Sequence, residues 1–205
     1  MVSDAYRFLI PILGLGAVLA LMHILWAAVA MLVLGALVCL FFRNPGRAIP
    51  GGENLVVSPA DGKIVKISQL LGTDGEPEGH GLSIFLSVFD VHVNRAPITG
   101  ELERVEYKRG KFLVAFDDNA SRINEQNVLT IRGCGSRITV KQIAGLIARR
   151  VVCWKKAGHQ LVRGELIGLI RFGSRVDIVL PKQVQVHVKV GDRVKGGSSI
   201  IGEFV

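Results

Sequence analysis

The sequence predicts a mainly β chain of the α+β kind. A β-rich domain of sandwich or closed-barrel type follows an N-terminal hydrophobic helical hairpin. Three observations carry this. No Asp, Glu, Lys or Arg occurs from Phe8 to Phe42, so the whole formal charge of +8 sits on residues 43–205. Beyond Gly52, runs of β-branched residues recur between Gly, Pro, Asp and Asn, with little helical periodicity. A composition of 49% hydrophobic and 20% charged residues in 205 excludes a disordered chain and suits one folded domain with an appendage.

The uncharged run exceeds the roughly 18 apolar residues that mark a spanning helix. As one straight helix it would reach about 52 Å, far beyond a hydrocarbon core of about 30 Å. Two short helices broken near Met22-His23 fit better than one tilted span. Arg7 flanks the start, and Arg43 and Arg47 flank the end, which favours a hairpin with both termini on the cytoplasmic face of the cell membrane. Ala28-Val29-Ala30 resembles a signal-peptide cleavage site, but the apolar run before it is too long and another follows. Residues 1–42 are therefore read as membrane-anchoring helices. Residues 43–54, punctuated by Pro and Gly, form a linker, and 55–205 form the folded domain.

Cys39, Cys134 and Cys153 are odd in number and make no C-x-x-C pair, so neither a disulfide framework nor a metal site is expected. Lys and Arg are scattered without aromatic interleaving, which argues against nucleic acid. A basic domain tethered at a bilayer is drawn instead to anionic headgroups.

In the domain, strands are expected at 55–57, 63–67, 82–93, 101–107, 128–132, 137–142, 165–180 and 184–190, and 143–153 is open between strand and helix. Two turn-strand segments look alike, 58–65 and 188–197. Each sets an Asp/Gly turn beside a β-branched run, and the second resembles the hammerhead strands of barrel-sandwich hybrid carrier domains.

Chemistry is expected where an inward row turns polar. With 82–95 as one strand, Leu82, Ile84, Leu86 and Val88 share a face with Asp90, His92 and Asn94. That pattern fits a pocket wall or a strand surfacing into solvent. His23 reads as a turn or interface residue and not a ligand, and His80, His159 and His187 have no such setting and read as structural or surface residues. With 165–180 as one strand, Ser174 lies in an apolar row between Phe172 and Val176, next to Gly173. A hydroxyl there is hydrogen-bonded or functional. A strained Gly-Ser bond can undergo an N-to-O acyl shift; a β-bulge around a small residue is the plain alternative.

The chain resembles the phosphatidylserine decarboxylases, in particular their short membrane-associated form. The resemblance runs through Phe41-Phe42-Arg43-Asn44-Pro45, Val57-Ser58-Pro59-Ala60-Asp61-Gly62 and Phe89-Asp90-Val91-His92-Val93-Asn94-Arg95-Ala96-Pro97. It continues through Ile143-Ala144-Gly145-Leu146-Ile147-Ala148-Arg149-Arg150 and Gly168-Leu169-Ile170-Arg171-Phe172-Gly173-Ser174-Arg175-Val176-Asp177. It implies a proenzyme that cuts itself between Gly173 and Ser174 into chains 1–173 and 174–205, held together as a non-covalent heterodimer. An ester, then a dehydroalanine, then hydrolysis with loss of ammonia would leave a pyruvoyl group at Ser174. That group would take phosphatidylserine as a Schiff base, release carbon dioxide and yield phosphatidylethanolamine, with no metal and no pyridoxal phosphate.

The resemblance also implies roles for Asp61 in self-cleavage and His92 in acid/base chemistry. Phe172 is a candidate substrate contact. Where longer members carry a second histidine, this chain has Arg95, which could hold the substrate phosphate or carboxylate. The base for self-cleavage is then either His92 or Asp61 with a water. A membrane-tethered carrier or phosphotransfer module is the alternative reading, but no Met-Lys-Met-like tip is present. A zinc endopeptidase with a similar β core would need H-x-H ligand spacing, which is also missing.

Overall fold

The computed structural model describes residues 1–72, 76–113, 120–145, 150–171 and 174–205. The chain divides into two compact units, Met1–Gly46 and Arg47–Val205.

The first unit is the helical hairpin. A 3-10 turn at Ser3–Ala5 leads into α1 (Tyr6–Leu21), and α2 (Leu25–Phe41) packs back along it. The break falls at Met22–Ile24, where His23 takes the left-handed conformation at φ 58°. The helices approach closely at Gly16, where a Cβ would sit 3.1 Å from the Met31 Cβ. The open end is tied by the Val2 amide, which donates to the Phe42 carbonyl at 3.1 Å, and by Phe8 stacked on Phe42 at 5.7 Å. The stretch Ser3–Leu21 is long and apolar enough to cross a membrane; Leu25–Phe41 is shorter. Much of this surface is apolar and exposed, including Leu21, Leu25, Trp26, Leu32 and Leu37.

The second unit is built almost entirely of strands. In chain order they are β1 (Leu55–Val57), β2 (Gly62–Leu71), β3 (Pro77–Leu86), β4 (Val93–Arg95) and β5 (Gly100–Lys108). After the short α3 (Ala120–Ile123) come β6 (Gln126–Gly133), β7 (Ser136–Ala144), β8 (Val151–Cys153), β9 (Gln160–Leu161) and β10 (Leu166–Ile170). The last are β11 (Ser174–Pro181), β12 (Val184–Val186), β13 (Arg193–Val194) and β14 (Ile200–Phe204). Among the described residues a curled eight-stranded sheet runs β13-β2-β3-β11-β7-β6-β5-β9. Two three-stranded sheets, β4-β10-β8 and β1-β14-β12, complete it. The pairings are antiparallel, so side chains alternate between an inner and an outer face. Leu82, Ile84, Leu86, Leu129, Ile131, Ile138, Val140, Val176, Ile178 and Leu180 fill the inner face with no exposure.

The two look-alike segments pair with each other. Arg193 lies opposite Lys63 and Val194 opposite Gly62, and the Gly197 amide donates to the Ser58 carbonyl at 2.8 Å.

Two long predicted strands are broken. The 82–95 strand stops at Leu86 because Asp90 closes a turn: Asp90 Oδ2 accepts from the Ser87 amide at 2.8 Å, and the Asp90 amide donates to the Ser87 carbonyl at 3.0 Å. Such local side-chain bonding competes with the ladder. Val88 is consequently 48% exposed and not part of the inner row. The 165–180 strand changes sheets between β10 and β11. Phe172 and Gly173 lie outside the described residues, as do 146–149 within the ambiguous 143–153. There, Ile143 and Ala144 end β7 and Val151–Cys153 form β8. The run 184–190 holds strand only at β12.

Candidate active site

Ser174 opens β11, between Leu86 of β3 and Ala144 of β7. It is fully buried on the inner face, and its Oγ has no hydrogen-bond partner among the described residues. A buried hydroxyl left so costs about 1–3 kcal/mol, so this position is one the fold retains at a cost in stability. The neighbouring outward side chains are fully occupied. Arg175 Nε donates to Asp177 Oδ1 at 2.6 Å, Arg175 Nη2 to Ser83 Oγ at 2.8 Å, and Ser121 Oγ to Asp177 Oδ2 at 2.7 Å. A cavity of about 220 Å³ on this outer face is lined by Arg175, Asp177 and Ser83, and neither Ser174 nor His92 lines it.

His92 and Asn94 are both fully buried. His92 Nδ1 lies 3.0 Å from the Asp90 carbonyl. A carbonyl can only accept, so Nδ1 carries the proton and Nε2 is the basic nitrogen of the neutral ring. Asp90 itself belongs to the turn and does not join them.

The Asp61 carboxylate is held by partners other than the serine. Its Oδ2 accepts from Arg47 Nη2 at 2.6 Å and its Oδ1 from the Gly196 amide at 2.8 Å. Arg95 stands close to both: burial, then the repulsion of Arg47, push its guanidinium below the ordinary arginine value against the pull of Asp61. Arg95 Nη1 donates to the Gly164 carbonyl at 2.8 Å. The structure therefore gathers Asp61 and Arg95 with Arg47, a residue read from sequence as part of the linker and as a charge flanking the hairpin. No hydrogen bond joins Ser174 Oγ to Asp61 or to His92 among the described residues.

Sequence reasoning also passed over Gln142 and Asn127. Asn127 Nδ2 donates to Gln142 Oε1 at 3.3 Å, and Gln142 Nε2 to Asn94 Oδ1 at 2.8 Å. Both lie in apolar inward rows, Ile138-Val140-Gln142-Ala144 and Asn127-Leu129-Ile131, the same signal that singles out Ser174. Gly168 makes room for them. A Cβ there would run into the Val152 carbonyl and come within 2.8 Å of Gln142 Nε2. Among the described residues no three His, Cys, Asp or Glu side chains converge as metal ligands.

The family model described as phosphatidylserine decarboxylase matches residues 34–202, a span that contains Asp61, His92, Arg95 and Ser174. The chain belongs to the phosphatidylserine decarboxylase family. It is 52% identical over 173 residues to the phosphatidylserine decarboxylase proenzyme of Solibacter usitatus, covering 83% of this chain and 80% of that one. With the protein of the same name from Carboxydothermus hydrogenoformans it shares 43% over 207 aligned positions, covering 100% and 96%. With that of Geotalea uraniireducens it shares 44% over 201, covering 98% and 94%. Each of these relatives carries the word proenzyme in its name.

Proposed function

We propose that this chain is a proenzyme that cuts itself between Gly173 and Ser174, converts Ser174 into a pyruvoyl group and then decarboxylates phosphatidylserine to phosphatidylethanolamine. The observation that carries the reading is the Ser174 hydroxyl: fully buried, unpartnered, and first in a strand within a chain of this family. That orphaned oxygen fits the group, because the site surrounds it with apolar side chains and with Gln142 on the same inner face. The pyruvoyl group supplies an electrophilic carbonyl and an electron sink for the pair released with carbon dioxide.

The chain's own residues do the rest. His92, with its Nδ1–H committed to the Asp90 carbonyl, presents Nε2 to take and return a proton at the substrate α-carbon. Asp61, whose two oxygens already serve Arg47 and Gly196, acts in maturation by orienting its surroundings. Arg95 holds the substrate phosphate or carboxylate by charge-assisted hydrogen bonds, and Phe172 contacts the substrate. Residues 1–42 anchor the chain, 43–54 link it, and 55–205 form the decarboxylase domain. Exposed leucines and Trp26 on the two apolar helices support insertion, and Arg7, Arg43 and Arg47 support a cytoplasmic face. The charge of +8 beyond the hairpin draws the domain toward anionic headgroups.

Denaturing electrophoresis with intact-mass measurement tests this. The purified protein is expected as two chains, 1–173 and 174–205, the smaller with a blocked N-terminus. Ser174→Ala stays whole and releases no carbon dioxide. His92→Ala is cut but inactive. A single uncut chain that still decarboxylates the lipid overturns the proposal.

A further inference from the structure

Three amides are buried on the inner face and joined in one direction, Asn127 to Gln142 to Asn94. Each bond sets the next amide: with Gln142 Oε1 accepting, Nε2 donates, and with Asn94 Oδ1 accepting, Nδ2 is what remains. Asn94 is fully buried, and its Nδ2 has no hydrogen-bond partner among the described residues.

The relay has a telling place in the topology. Asn94 lies opposite Gly168 on the β4–β10 ladder. Gln142 lies opposite Val176 on the β7–β11 ladder, two residues along from the pair Ala144–Ser174 and on the same face as Ser174. Residues 171–173 connect β10 to β11. The relay therefore links β7, which pairs with β11, to β4, which pairs with β10, and β10 and β11 are the strands that precede and follow residues 171–173 in the chain. An unpartnered donor, Asn94 Nδ2, and an unpartnered hydroxyl, Ser174 Oγ, are both fully buried among the described residues.

We propose that Asn94 is a catalytic residue of self-cleavage, its Nδ2–H donating to the oxygen that turns negative during the acyl shift; Gln142 and Asn127 are positioning residues that aim it. This rests on the proposed self-cleavage. In the step concerned, the Ser174 Oγ–carbon bond forms to the Gly173 carbonyl and the Oγ proton passes to a base. The carbonyl π pair moves onto oxygen. On collapse the pair returns, the bond from that carbon to the Ser174 nitrogen breaks, and the nitrogen takes a proton, leaving an ester. A donor waiting in a dry site favours the charged oxygen over the neutral carbonyl.

Asn94→Asp in the full-length chain is the test, because it keeps the acceptor for Gln142 and nearly the same volume. Ionised, it offers no donor; protonated, it offers an O–H. Fragment 174–205 is followed by electrophoresis against wild type at each pH, so that any pH effect common to both cancels in the ratio. At pH 8 the variant is expected to be cut about 100-fold more slowly, the size of one lost oxyanion donor, and the ratio should climb as the pH falls and the carboxyl protonates. That recovery also shows the variant to be folded. Asn94→Leu should be slow at every pH. Gln142→Leu, which leaves Asn94 itself intact, should slow cutting about tenfold with no recovery at low pH. A ratio near one at pH 8, a slow ratio that stays flat with pH, or normal cutting with decarboxylation lost would each overturn the role of Asn94. Wild-type protein that fails to cut at Gly173-Ser174 would instead overturn the underlying reading.

Discussion

Replacing Arg47 by Ala should destabilise the β domain well beyond what an ordinary surface arginine would. The Arg47 and Asp61 side chains are only 11% and 14% exposed, and their contact is 2.6 Å. Removing one member of such a pair leaves a buried charge, at about 3–5 kcal/mol. Here the Gly196 amide still donates to Asp61, and Arg95 still attracts it, so about 2–3 kcal/mol is the expected loss. For a chain of this size that lowers the melting temperature by about 4–12 °C. The measurement is thermal unfolding in detergent, in a Ser174→Ala background so that every sample is one chain. Arg47→Ala/Asp61→Asn removes the buried anion as well and should recover at least half of the loss. If Arg47→Ala melts with wild type, or if the double variant loses the sum of both single losses, the ion pair does not hold this corner of the domain.

Other tests follow from the same geometry. Gly168→Ala forces a Cβ against the Val152 carbonyl and the Gln142 amide; an overpacking cost of about 1–3 kcal/mol is expected, read as lowered melting together with slower appearance of fragment 174–205. Burial pushes the Cys153 thiol up, against the weaker pull of Lys155, so at pH 8 iodoacetamide should label exposed Cys134 well before Cys153. Burial raises the Glu165 carboxyl, but hydrogen bonds from Lys155, the Val162 amide and His159 outweigh it and hold it below its unfolded value of 4.5. Its stabilising effect is therefore present above that pH and is lost as pH falls through the folded value, so Glu165→Gln should flatten the decline in stability below pH 4.5.

Much of the fold was legible because most strands bury one face and so alternate cleanly. β1, β5, β6 and β7 lie where β-branched runs bounded by Gly and Asn put them. Two breaks were invisible for a physical reason: alternation counts residues, not sheets. Asp90 turns the chain after Leu86 with its own side chain, and β10 passes into a different sheet from β11, while both stretches still read as single alternating strands. For the site, the rule that picked out Ser174, a polar residue in an inward apolar row, applies equally to Gln142 and Asn127, and it needed only to be carried across to β7 and β6. Arg47 is different in kind. Its partner Asp61 is 14 residues away through a Pro- and Gly-rich stretch, where no periodicity reports contact.

The proposed cut also has to leave the two chains together, and strand pairing bears on that. Every strand of 174–205 pairs with a strand of 1–173 or with one that does so. β11 is held on both edges, from Ser174 to Pro181 by β3 and from Ser174 to Val179 by β7, while β14 pairs with β1 and β13 with β2. The short piece also places Val176, Ile178, Leu180, Val184 and Ile201 in the core at 1% exposure or less. At about 1.5–3 kcal/mol for each fully buried side chain, these five alone supply about 8–15 kcal/mol of gross stabilisation; half of that, about 4–8 kcal/mol, already corresponds to millimolar to micromolar association before the two ladders of β11 are added. The small chain should therefore co-elute with the large one on size exclusion in mild detergent, and separate only in denaturant. A small chain lost on dilution alone would show that the pairing on both edges of β11 does not survive the cut.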